Sequence, residues 1–541
     1  MPLNLYLRPW SEAMRTAVSI GLLVGLLTAC GGGDSQALLT APAVPTEVPG
    51  PDPLLSQQWH LFNTGQGGGL PGIDLGLQGV AETGRGVLIA FVDGAVQISH
   101  PDLVANLHTV KGFLTTPNPS TPFAPADAPY NDRAGEWDDA HGTAVVGIAV
   151  ARADNSIGGR GVAPQAKFLA LDGLSNGRVG QALVSALDQG ADIVNNSWGF
   201  LDPQAGQGRS YQRADPLWRE ALGRALSQGR QGRGAVVVFA AGNGGADDDS
   251  NRDGYANQPG VLAVGAVDHT GRPPTYAEPG ANVLVSAPSM SLLRRAEGGA
   301  DIWTTDLAGP RGLSGGTQAE SADYAAFAGG TSASAPMVSG VVALMLQANP
   351  ALSWRDVRWL LARTARAASL GAEAAEPSVM NSHGYHPMVG FGRVHAGDSI
   401  AAARVFRGLP AERRCDSGLL SIQQNIGDAP DAGLSLGHRF SVCNLSVLES
   451  VEVTVQAEHA YGADLQIELN SPTGHRSVLA RPHFCSKDFT GGCGDFSQGW
   501  TFHSVRHMGE NAAGNWRLRV QDLQEGDTGR LLQWRLVLTG H

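Results

Sequence analysis

Short apolar runs alternate with helix-like stretches between about residue 52 and residue 400. The runs VLIAFVD, KFLALD, ADIVNNS, AVVVFAA and VLAVGAV are nearly unbroken, which is typical of strands buried on both faces of a sheet. The alternation predicts an α/β fold with a mostly parallel sheet flanked by helices. Near its end, Ser353 followed by Asp356 predicts a helix N-terminus in LSWRDVRWLLARTA.

The hydrophobic pattern changes near residue 409. VEVTVQAEH, ADLQIELN, WRLRVQD and LLQWRLVL alternate apolar and polar residues and are separated by Gly, Pro, Asn and Asp. This pattern predicts short antiparallel strands of an all-β sandwich. We therefore expect an α/β domain at 52–408 and a β-sandwich at 409–541, and the sandwich pattern alone would also fit a generic binding module.

The N-terminus has the pattern of an export signal. Arg8 and Arg15 precede the apolar run AVSIGLLVGLL, which is too short for a membrane span. The run ends in Leu-Thr-Ala-Cys, which resembles a bacterial lipobox and implies a signal peptide at 1–30 with lipidation of Cys30. Residues 31–51 then read as a flexible tether. We expect export to the cell envelope, with a lipid anchor that points to the outer membrane, or secretion after cleavage near the same place.

The length of the chain indicates how many domains it has, and its net charge indicates which kinds of partner it binds. A chain of 541 residues predicts two domains plus a leader. Its 38 basic and 50 acidic residues give a net charge of −12, which argues against nucleic acid. Cationic substrates and metal ions remain compatible with that charge, as does acidity that only aids solubility. We expect a monomer.

The cysteines indicate an oxidising compartment. Apart from Cys30, the four cysteines all follow residue 410, and an even number in an exported domain suggests two disulfides. Three pairings are possible. We favour Cys415–Cys443 and Cys485–Cys493, because the second closes a short Gly-rich loop. A zinc site is the alternative, although the spacings are irregular.

Four motifs in the α/β region carry candidate chemistry. GGTSASAPMVSG places Ser332 at the start of an apolar helix, where backbone N–H groups favour developing negative charge. A serine nucleophile needs a base, and HGTAVVGIAVA offers His141 while VLIAFVDGAVQISHPDL offers Asp93 at a strand end. The fourth motif, VVVFAAGNGG, contains Asn243. Any one motif is compatible with ordinary packing, whereas all four in this order favour a catalytic site.

Together, in the chain order Asp, His, Ser, these motifs resemble the subtilisin-like serine peptidases. The resemblance implies that Ser332 is the nucleophile, that His141 takes its proton and that Asp93 fixes the imidazole tautomer. It also implies that the Asn243 side chain and a backbone N–H hold the tetrahedral oxyanion. The His-Gly-Thr run is expected to open a helix.

The C-terminal region narrows the resemblance. YGADLQIELNSPTGHRSVL, GENAAGNWRLRVQD and GDTGRLLQWRLVLTG resemble the P domain of proprotein convertases, so residues 52–541 resemble the kexin/furin type. Convertases cleave after basic residues. The resemblance implies a substrate-binding segment at Ser197, Trp198 and Gly199, and an S1 carboxylate at Asp253, because a buried guanidinium needs a paired anion.

The resemblance also implies calcium as a cofactor at two sites. The ligands beneath the S1 pocket would be Asp202, Glu278 and one of Asp248 or Asp249, with Asp249 preferred. The ligands of the second site would be the side chains of Asp52, Asp102 and Asn155 and the backbone carbonyls of Arg152, Ile157 and Gly159. Six to eight oxygens suit calcium, and the second ion would clamp the N-terminal segment to the core. The alternative is that these acids form solvated loops.

Two departures from the convertase pattern weaken a dibasic requirement. Gly94 stands where convertases have a second aspartate that reads a basic P2 residue. The segment after residues 170–173 also lacks the acids expected for a basic P4, although Asp138 is a candidate neighbour of S2. We therefore expect a P1 preference for Arg or Lys with a loose P2.

The leading prediction is a calcium-dependent, surface-anchored serine endopeptidase whose substrates are proteins or peptides with basic residues. A broad-specificity extracellular subtilase is one alternative, favoured by the missing P2 acid. A non-catalytic surface protein that binds partners through the P domain is the other. Because the catalytic resemblance begins at residue 52, we expect a separate folding chaperone-inhibitor, or unaided folding, in place of a pro-domain.

Overall fold

The computed structural model describes the chain from residue 50 to residue 541, with internal gaps. The gaps are residues 109–136, 175–176, 201–210, 291–299, 309–311, 314–322, 328, 372–374, 430–432 and 484–495. The side chains of residues 137–139 are also not described. Cys30, the predicted tether up to residue 49, Asp202, Cys485, Cys493 and the Asp138 side chain therefore lie outside the described residues.

Among the described residues, six parallel strands form the central sheet, in the order β2-β1-β3-β4-β5-β6. The strands are β1 Leu88–Asp93, β2 Lys167–Asp172, β3 Ile193–Asn196, β4 Val236–Ala240, β5 Val261–Val267 and β6 Val283–Pro288. Every residue of β1, β3, β4, β5 and β6 is buried, as the unbroken apolar runs predicted. The predicted α/β class and parallel sheet are confirmed. A short antiparallel pair, β7 Ile302–Thr305 and β8 Tyr324–Phe327, lies outside this sheet.

Helices cover both faces of the sheet. They are α1 Trp137–Val150, α2 Val179–Asp188, α3 Pro216–Gly232, α4 Thr331–Ala348, α5 Trp354–Thr364 and α6 Ala396–Val405. One core contains side chains of α1, α4, α5 and α6, and the other contains those of α2 and α3. Within the described part of the chain, only α4 is long and apolar enough to cross a membrane. Because 89% of that stretch is buried in the protein, the core explains its composition.

The two predicted helix starts have different outcomes. Ser353 and Asp356 form a complete capping box at the start of α5, as predicted. Helix α1 begins at Trp137, so His141 lies in its second turn, and the expectation that His-Gly-Thr opens the helix is wrong. The residues after Trp137 are two aspartates, which the first turn of a helix favours because of the dipole.

The C-terminal region is all β, as predicted. Its strands are β9 Arg413–Asp416, β10 Leu420–Ile426, β11 Leu434–His438, β12 Leu448–His459, β13 Leu465–Asn470, β14 Arg476–Ala480, β15 Trp500–Ser504, β16 Trp516–Asp522 and β17 Gly529–Gly540. In the described residues they form one antiparallel sheet in the order β10-β17-β12-β15, with β9 on β17, and a second in the order β11-β16-β13-β14. Cys415 and Cys443 form a disulfide, which confirms the first of the two predicted pairs, whereas Cys485–Cys493 stays a prediction.

The sandwich and the α/β region share their cores. Val505 and Met508, which follow β15, belong to the main core of the α/β region, and Ala281 belongs to the sandwich core. Tyr211 packs its ring against three sandwich aromatics, with centroid distances of 4.8 Å to Phe496, 5.1 Å to Trp500 and 5.8 Å to Phe502. The two regions therefore dock through apolar contacts as well as polar ones.

Candidate active site

The first component of the site is a buried Asp–His pair. Asp93 ends β1 and His141 lies on α1, with His141 Nδ1 2.8 Å from Asp93 Oδ1. The same carboxylate oxygen accepts the N–H of Gly94 at 2.8 Å. Because a carboxylate accepts hydrogen bonds, Nδ1 carries the ring proton and Nε2 is the basic nitrogen of the neutral ring.

Two close contacts orient the imidazole. Gly142 lets α1 lie directly on the chain that follows β1, because a Cβ there would be 2.6 Å from the Ala95 carbonyl oxygen. The Phe327 ring meets the His141 ring edge to face, with centroids 5.6 Å apart. Phe327 also lies against Gly329, where a Cβ would be 1.9 Å from the ring. The imidazole and the turn before Ser332 therefore share one aromatic neighbour.

Ser332 is the second residue of α4 and is buried. Gly330, two residues before Ser332, has a φ of +58°, and a Cβ at Gly330 would lie 2.4 Å from Asn243 Oδ1. Glycine is therefore needed for the tight turn and for the approach of the amide. The Ser332 hydroxyl donates a hydrogen bond to the carbonyl oxygen of Ser197 at 2.8 Å.

Asn243 follows β4 by three residues and is half-buried. Its Oδ1 accepts hydrogen bonds from the Thr331 N–H at 2.8 Å and the Thr331 hydroxyl at 3.0 Å. These two donors fix which end of the amide is oxygen. Asn243 is therefore held beside Ser332 by its oxygen, and Nδ2 is the end that can donate to a ligand.

The predicted substrate segment leaves β3 and passes Ser332. The Ser197 hydroxyl donates to the Ser332 carbonyl oxygen at 3.0 Å, so the two serines exchange hydrogen bonds. Trp198 Nε1 donates to the Val92 carbonyl at 2.8 Å, and its ring packs on the Phe239 ring at 4.7 Å. The Trp198 side chain is thus half-buried and packs against the core, and the substrate role of this segment stays a prediction.

Asp253 lies directly behind this segment. A Cβ on Gly199 would be 2.8 Å from Asp253 Oδ2, and the same oxygen accepts the Phe200 N–H at 3.0 Å. The other oxygen accepts the N–H groups of Tyr255 and Ala256 at 2.7 and 3.1 Å. Three backbone donors stabilise an ionised carboxylate, so a negative charge lies behind Gly199.

Asp249 and Glu278, predicted to share an ion, have other partners here. The Asp249 carboxylate forms an ion pair with Arg481, which follows β14 of the sandwich. Burial raises the pKa of Asp249, against the opposing effect of the Arg481 and Arg252 charges. Glu278 Oε1 accepts the Gly244 N–H at 2.8 Å, behind the loop that carries Asn243. The shared ion stays a prediction, because Asp202 lies outside the described residues.

The three side chains predicted to bind the second calcium ion lie next to one another. The Asn155 N–H donates to Asp52 Oδ1 at 3.1 Å, and Asn155 Nδ2 donates to Asp102 Oδ1 at 2.8 Å. Oδ2 of each carboxylate is buried, and no hydrogen bond of normal geometry reaches it among the described residues, although the Tyr324 hydroxyl interacts with the Asp102 carboxylate and opposes the rise in its pKa. Burial raises the pKa of Asp102 to about 7, and the Asp52 charge contributes to the rise. Two buried carboxylates side by side favour a cation between them.

The loop that carries the predicted carbonyl ligands lies beside these carboxylates. The Arg152 N–H donates to the Asp102 carbonyl at 2.9 Å, and the Ile157 N–H donates to Asn155 Oδ1 at 3.3 Å. Gly159 lies against Gln58, where a Cβ would be 2.7 Å from its side chain. Among the described residues, no three His, Cys, Asp or Glu side chains form a metal-binding cluster. A calcium ion here would therefore depend on amide, carbonyl or water oxygens as well, which suits its chemistry.

Sequence reasoning missed two residues that matter for the site. Arg481 reaches Asp249 from the other domain, and nothing in its local sequence indicates that contact. Asn195 lies in β3 and hydrogen-bonds to Ser197. A signal for Asn195 did exist, because a polar residue in a strand buried on both faces must find partners.

Comparison with known proteins identifies both regions. Residues 84–392 match the Subtilase family and residues 448–538 match the Proprotein convertase P-domain. Neuroendocrine convertase 2 of Rattus norvegicus is 31% identical over 504 residues, which cover 90% of this chain and 74% of the relative. A PC3-like endoprotease of Hydra vulgaris (variant B) is 32% identical, and the match covers 87% of this chain but 63% of the relative's length.

Two solved structures share the fold over most of the chain. The serine protease of Aeromonas sobria has a TM-score of 0.75 and 25% identity, with 94% of this chain and 99% of that chain covered. The same protease in complex with its chaperone has a TM-score of 0.74 and 25% identity, with 91% and 96% covered. The match to the family pattern covers more than half of the 541 residues. The chain therefore belongs to the Subtilase family, and a proprotein convertase P-domain follows its subtilase region.

Proposed function

We propose that the chain is a serine endopeptidase in which Ser332 attacks the scissile peptide carbonyl. The observation that carries this proposal is the 2.8 Å hydrogen bond between Asp93 and His141, on a helix that packs against α4, whose start carries Ser332. Asn243, whose oxygen is bound to Thr331 next to Ser332, has its Nδ2 available as a donor. Acyl transfer needs a nucleophile, a base, an orienting carboxylate and an oxyanion donor in these relations.

The reaction follows from these groups. The Ser332 hydroxyl rotates from the Ser197 carbonyl toward His141, and Nε2 takes its proton as Oγ bonds to the carbonyl carbon. The carbonyl electron pair moves to oxygen, where Asn243 Nδ2 stabilises the charge. The Ser332 N–H, which donates to the Gly329 carbonyl at 3.0 Å before substrate binds, would be the second donor. Collapse breaks the C–N bond, and His141 returns the proton to the leaving amine. Water then attacks the acyl ester by the same route and restores Ser332.

For specificity we propose a preference for Arg or Lys at P1. The ionised Asp253 carboxylate behind Gly199 supports this, because a guanidinium or ammonium group entering the pocket would meet an opposite charge. The rival is a broad-specificity subtilase. The three backbone hydrogen bonds to Asp253 favour that rival, since they give the carboxylate a structural role.

A peptide panel separates the two specificities. Peptides with Arg, Lys, Phe or Leu at P1 are assayed with the wild type, Ser332→Ala and Asp253→Asn. We expect no hydrolysis by Ser332→Ala and a loss of at least about 100-fold in kcat/KM for Arg peptides in Asp253→Asn, by analogy with a lost charged pair. Asp247→Asn, an exposed acid of the same loop, is the control and should match the wild type. Equal cleavage of Arg and Leu peptides by the wild type supports the broad-specificity enzyme.

We further propose that calcium binds at Asp52, Asp102 and Asn155. When bound, the ion would cross-link the N-terminal segment to the loop of residues 152–159, and binding only the folded state would stabilise it. Calcium should raise the melting temperature of the wild type and of Asp154→Asn, an exposed acid of the same loop, but not that of Asp102→Asn. An equal calcium shift in Asp102→Asn would place the ion elsewhere.

For location and partners, we propose an exported enzyme anchored through lipidated Cys30 and folded by a separate chaperone. The Leu-Thr-Ala-Cys run supports the anchor, and the relative solved as a protease–chaperone complex supports the chaperone. Mass spectrometry of the mature N-terminus tests the anchor. A diacylglyceryl mass on Cys30 is expected, and a mature chain that begins beyond residue 30 rules the anchor out.

A further inference from the structure

A chain of hydrogen bonds runs through the buried interface between β3 and α4. The Ser339 hydroxyl of α4 donates to Asn195 Oδ1 at 2.8 Å, and Asn195 Nδ2 donates to the Ser197 hydroxyl at 2.9 Å. The Ser197 hydroxyl in turn donates to the Ser332 carbonyl oxygen at 3.0 Å. Asn195 and Ser339 are fully buried, and Ser197 is 1% exposed. The chain thus begins and ends on α4 and passes through β3.

The direction of the donors follows from the chemistry of each group. A hydroxyl has one proton, so Ser197, which donates it to the Ser332 carbonyl, can only accept from the Asn195 amide. The Ser339 proton holds the Asn195 amide oxygen toward α4. Asn195 therefore holds the Ser197 oxygen from one side and leaves the Ser197 proton for the Ser332 carbonyl.

Asn196, the next residue of β3, does not take part in these hydrogen bonds. Successive residues of a strand face opposite sides of the sheet, and Ile193 and Val194 accordingly lie in different cores. Asn195 faces α4, whereas Asn196 Nδ2 donates to the Val238 carbonyl of the adjacent strand at 3.0 Å. Both side chains are buried amides, but only Asn195 connects to Ser332.

We propose that Asn195 is a positioning residue for the nucleophile, acting through Ser197. By fixing the Ser197 hydroxyl on the Ser332 carbonyl, it sets the distance between the first turn of α4 and the substrate segment. A nucleophile displaced by about 1 Å loses about 100-fold in rate, so this distance matters more to kcat than to stability. The inference rests on the proposed role of Ser332.

Asn195→Asp and Asn195→Ala remove the donor to Ser197, and in the aspartate variant the Ser197 proton turns toward the new carboxylate. We expect kcat to fall about 10- to 100-fold. The rate of acylation by a small sulfonyl fluoride should fall in parallel, because that reagent reports serine reactivity without a peptide in the substrate segment. Asn196→Ala is the matched control, and its kcat and acylation rate should stay within about twofold of the wild type at comparable loss of stability.

Equal rates in the Asn195 and Asn196 variants would overturn the inference and leave Asn195 a merely structural amide.

If the Asn195 variants do not fold, Ser339→Ala tests the far end of the hydrogen-bond chain, with Ser334→Ala as its control. Ser334 is also a buried serine of α4, but its hydroxyl donates to the Ala287 carbonyl at 3.1 Å. A slower acylation in Ser339→Ala alone supports the inference, and equal rates in both overturn it. A Ser332→Ala protein that still hydrolyses peptides would instead refute the proposed function.

Discussion

The two ends of the Asn243 amide have different tasks: the oxygen binds Thr331, and the nitrogen is free to donate to a ligand. A substitution can therefore change one task and keep the other. The Thr331 N–H and hydroxyl need an acceptor, while the developing oxyanion needs a donor. An aspartate can keep the first pair of hydrogen bonds and cannot supply the second. The role of this residue in folding can therefore be separated from its role in the proposed reaction.

We predict that Asn243→Asp folds normally and loses about 100- to 1000-fold in kcat with little change in KM. That loss corresponds to the roughly 2.7–4 kcal/mol that removing one oxyanion-hole donor costs in a subtilisin. Steady-state kinetics and melting temperatures measured side by side provide the test. Activity within about tenfold of the wild type would mean that Asn243 does not contact the oxyanion.

His60 is a buried residue that the proposed reaction does not use. Its side chain is fully buried, and neither ring nitrogen has a hydrogen-bond partner among the described residues. Burial lowers the pKa of His60 to about 3. In the unfolded chain the imidazole takes a proton below about pH 6.5. The unfolded state therefore binds the extra proton between about pH 3 and 6.5, and stability falls as the pH decreases through that window.

Replacing His60 with leucine should weaken this acid sensitivity. The slope of the unfolding free energy between pH 6 and pH 4 should become shallower by up to about 1.4 kcal/mol per pH unit. Denaturant titrations of both proteins at pH 7, 6, 5 and 4 measure the difference. Parallel pH profiles for the two proteins would show that His60 is not the group that titrates.

At the scale of secondary-structure elements, the site depends on how closely α1 approaches β1. Asp93 is at the end of the strand and His141 lies one turn into the helix, so their hydrogen bond exists only if the two elements nearly touch. Gly142 permits this approach, because its missing side chain leaves room for the Ala95 carbonyl. The position of one helix thus sets the geometry of the Asp–His pair.

We predict that Gly142→Ala costs about 1–3 kcal/mol of stability through overpacking and at least about 100-fold in kcat through misalignment of His141. Gly223→Ala on α3 is the matched control, since a Cβ there meets nothing within 4 Å. That control should keep full activity and gain about 0.4–1 kcal/mol. Equal activity of the two variants would show that α1 tolerates displacement.

Sequence reasoning succeeded where burial leaves a local signature. The runs at β1 and β5 are apolar because both faces of the sheet are covered, and the capping box at Ser353 is complete within four residues. It failed at the start of α1, which begins at Trp137, four residues before His141. The Arg481–Asp249 pair joins residues 232 positions apart, so no local pattern encodes it.

At the scale of the whole molecule, the P-domain supports the loop that carries Asp253. Arg481 pairs with Asp249, and the Arg252 guanidinium donates to the Arg481 carbonyl oxygen at 3.1 Å. On the other side of Asp253, Asn257 Nδ2 donates to the Thr501 carbonyl at 2.7 Å. Sandwich residues therefore hold the loop on both sides of the proposed S1 carboxylate.

We predict that Arg481→Gln destabilises the protein by about 3 kcal/mol, because it leaves the buried Asp249 carboxylate without its cation. Combining Arg481→Gln with Asp249→Asn should recover part of the lost stability. Arg224→Gln is the control and should cost less than about 1 kcal/mol, since both Arg224 and its partner Asp188 are exposed. Denaturant unfolding of the wild type, of the single variants Arg481→Gln and Asp249→Asn and of their double variant gives the coupling between Arg481 and Asp249. Additive losses would show that the two groups do not interact.

The shared cores have a consequence for any cut between the two regions. Residues 407–412, which connect α6 to β9, are mostly exposed, and Arg407 offers a basic residue to a protease of the proposed specificity. Val505 and Met508 would remain in the α/β core after such a cut, and Ala281 in the sandwich core. A nicked molecule would therefore elute from a sizing column as one particle, and its two fragments would separate only in denaturant.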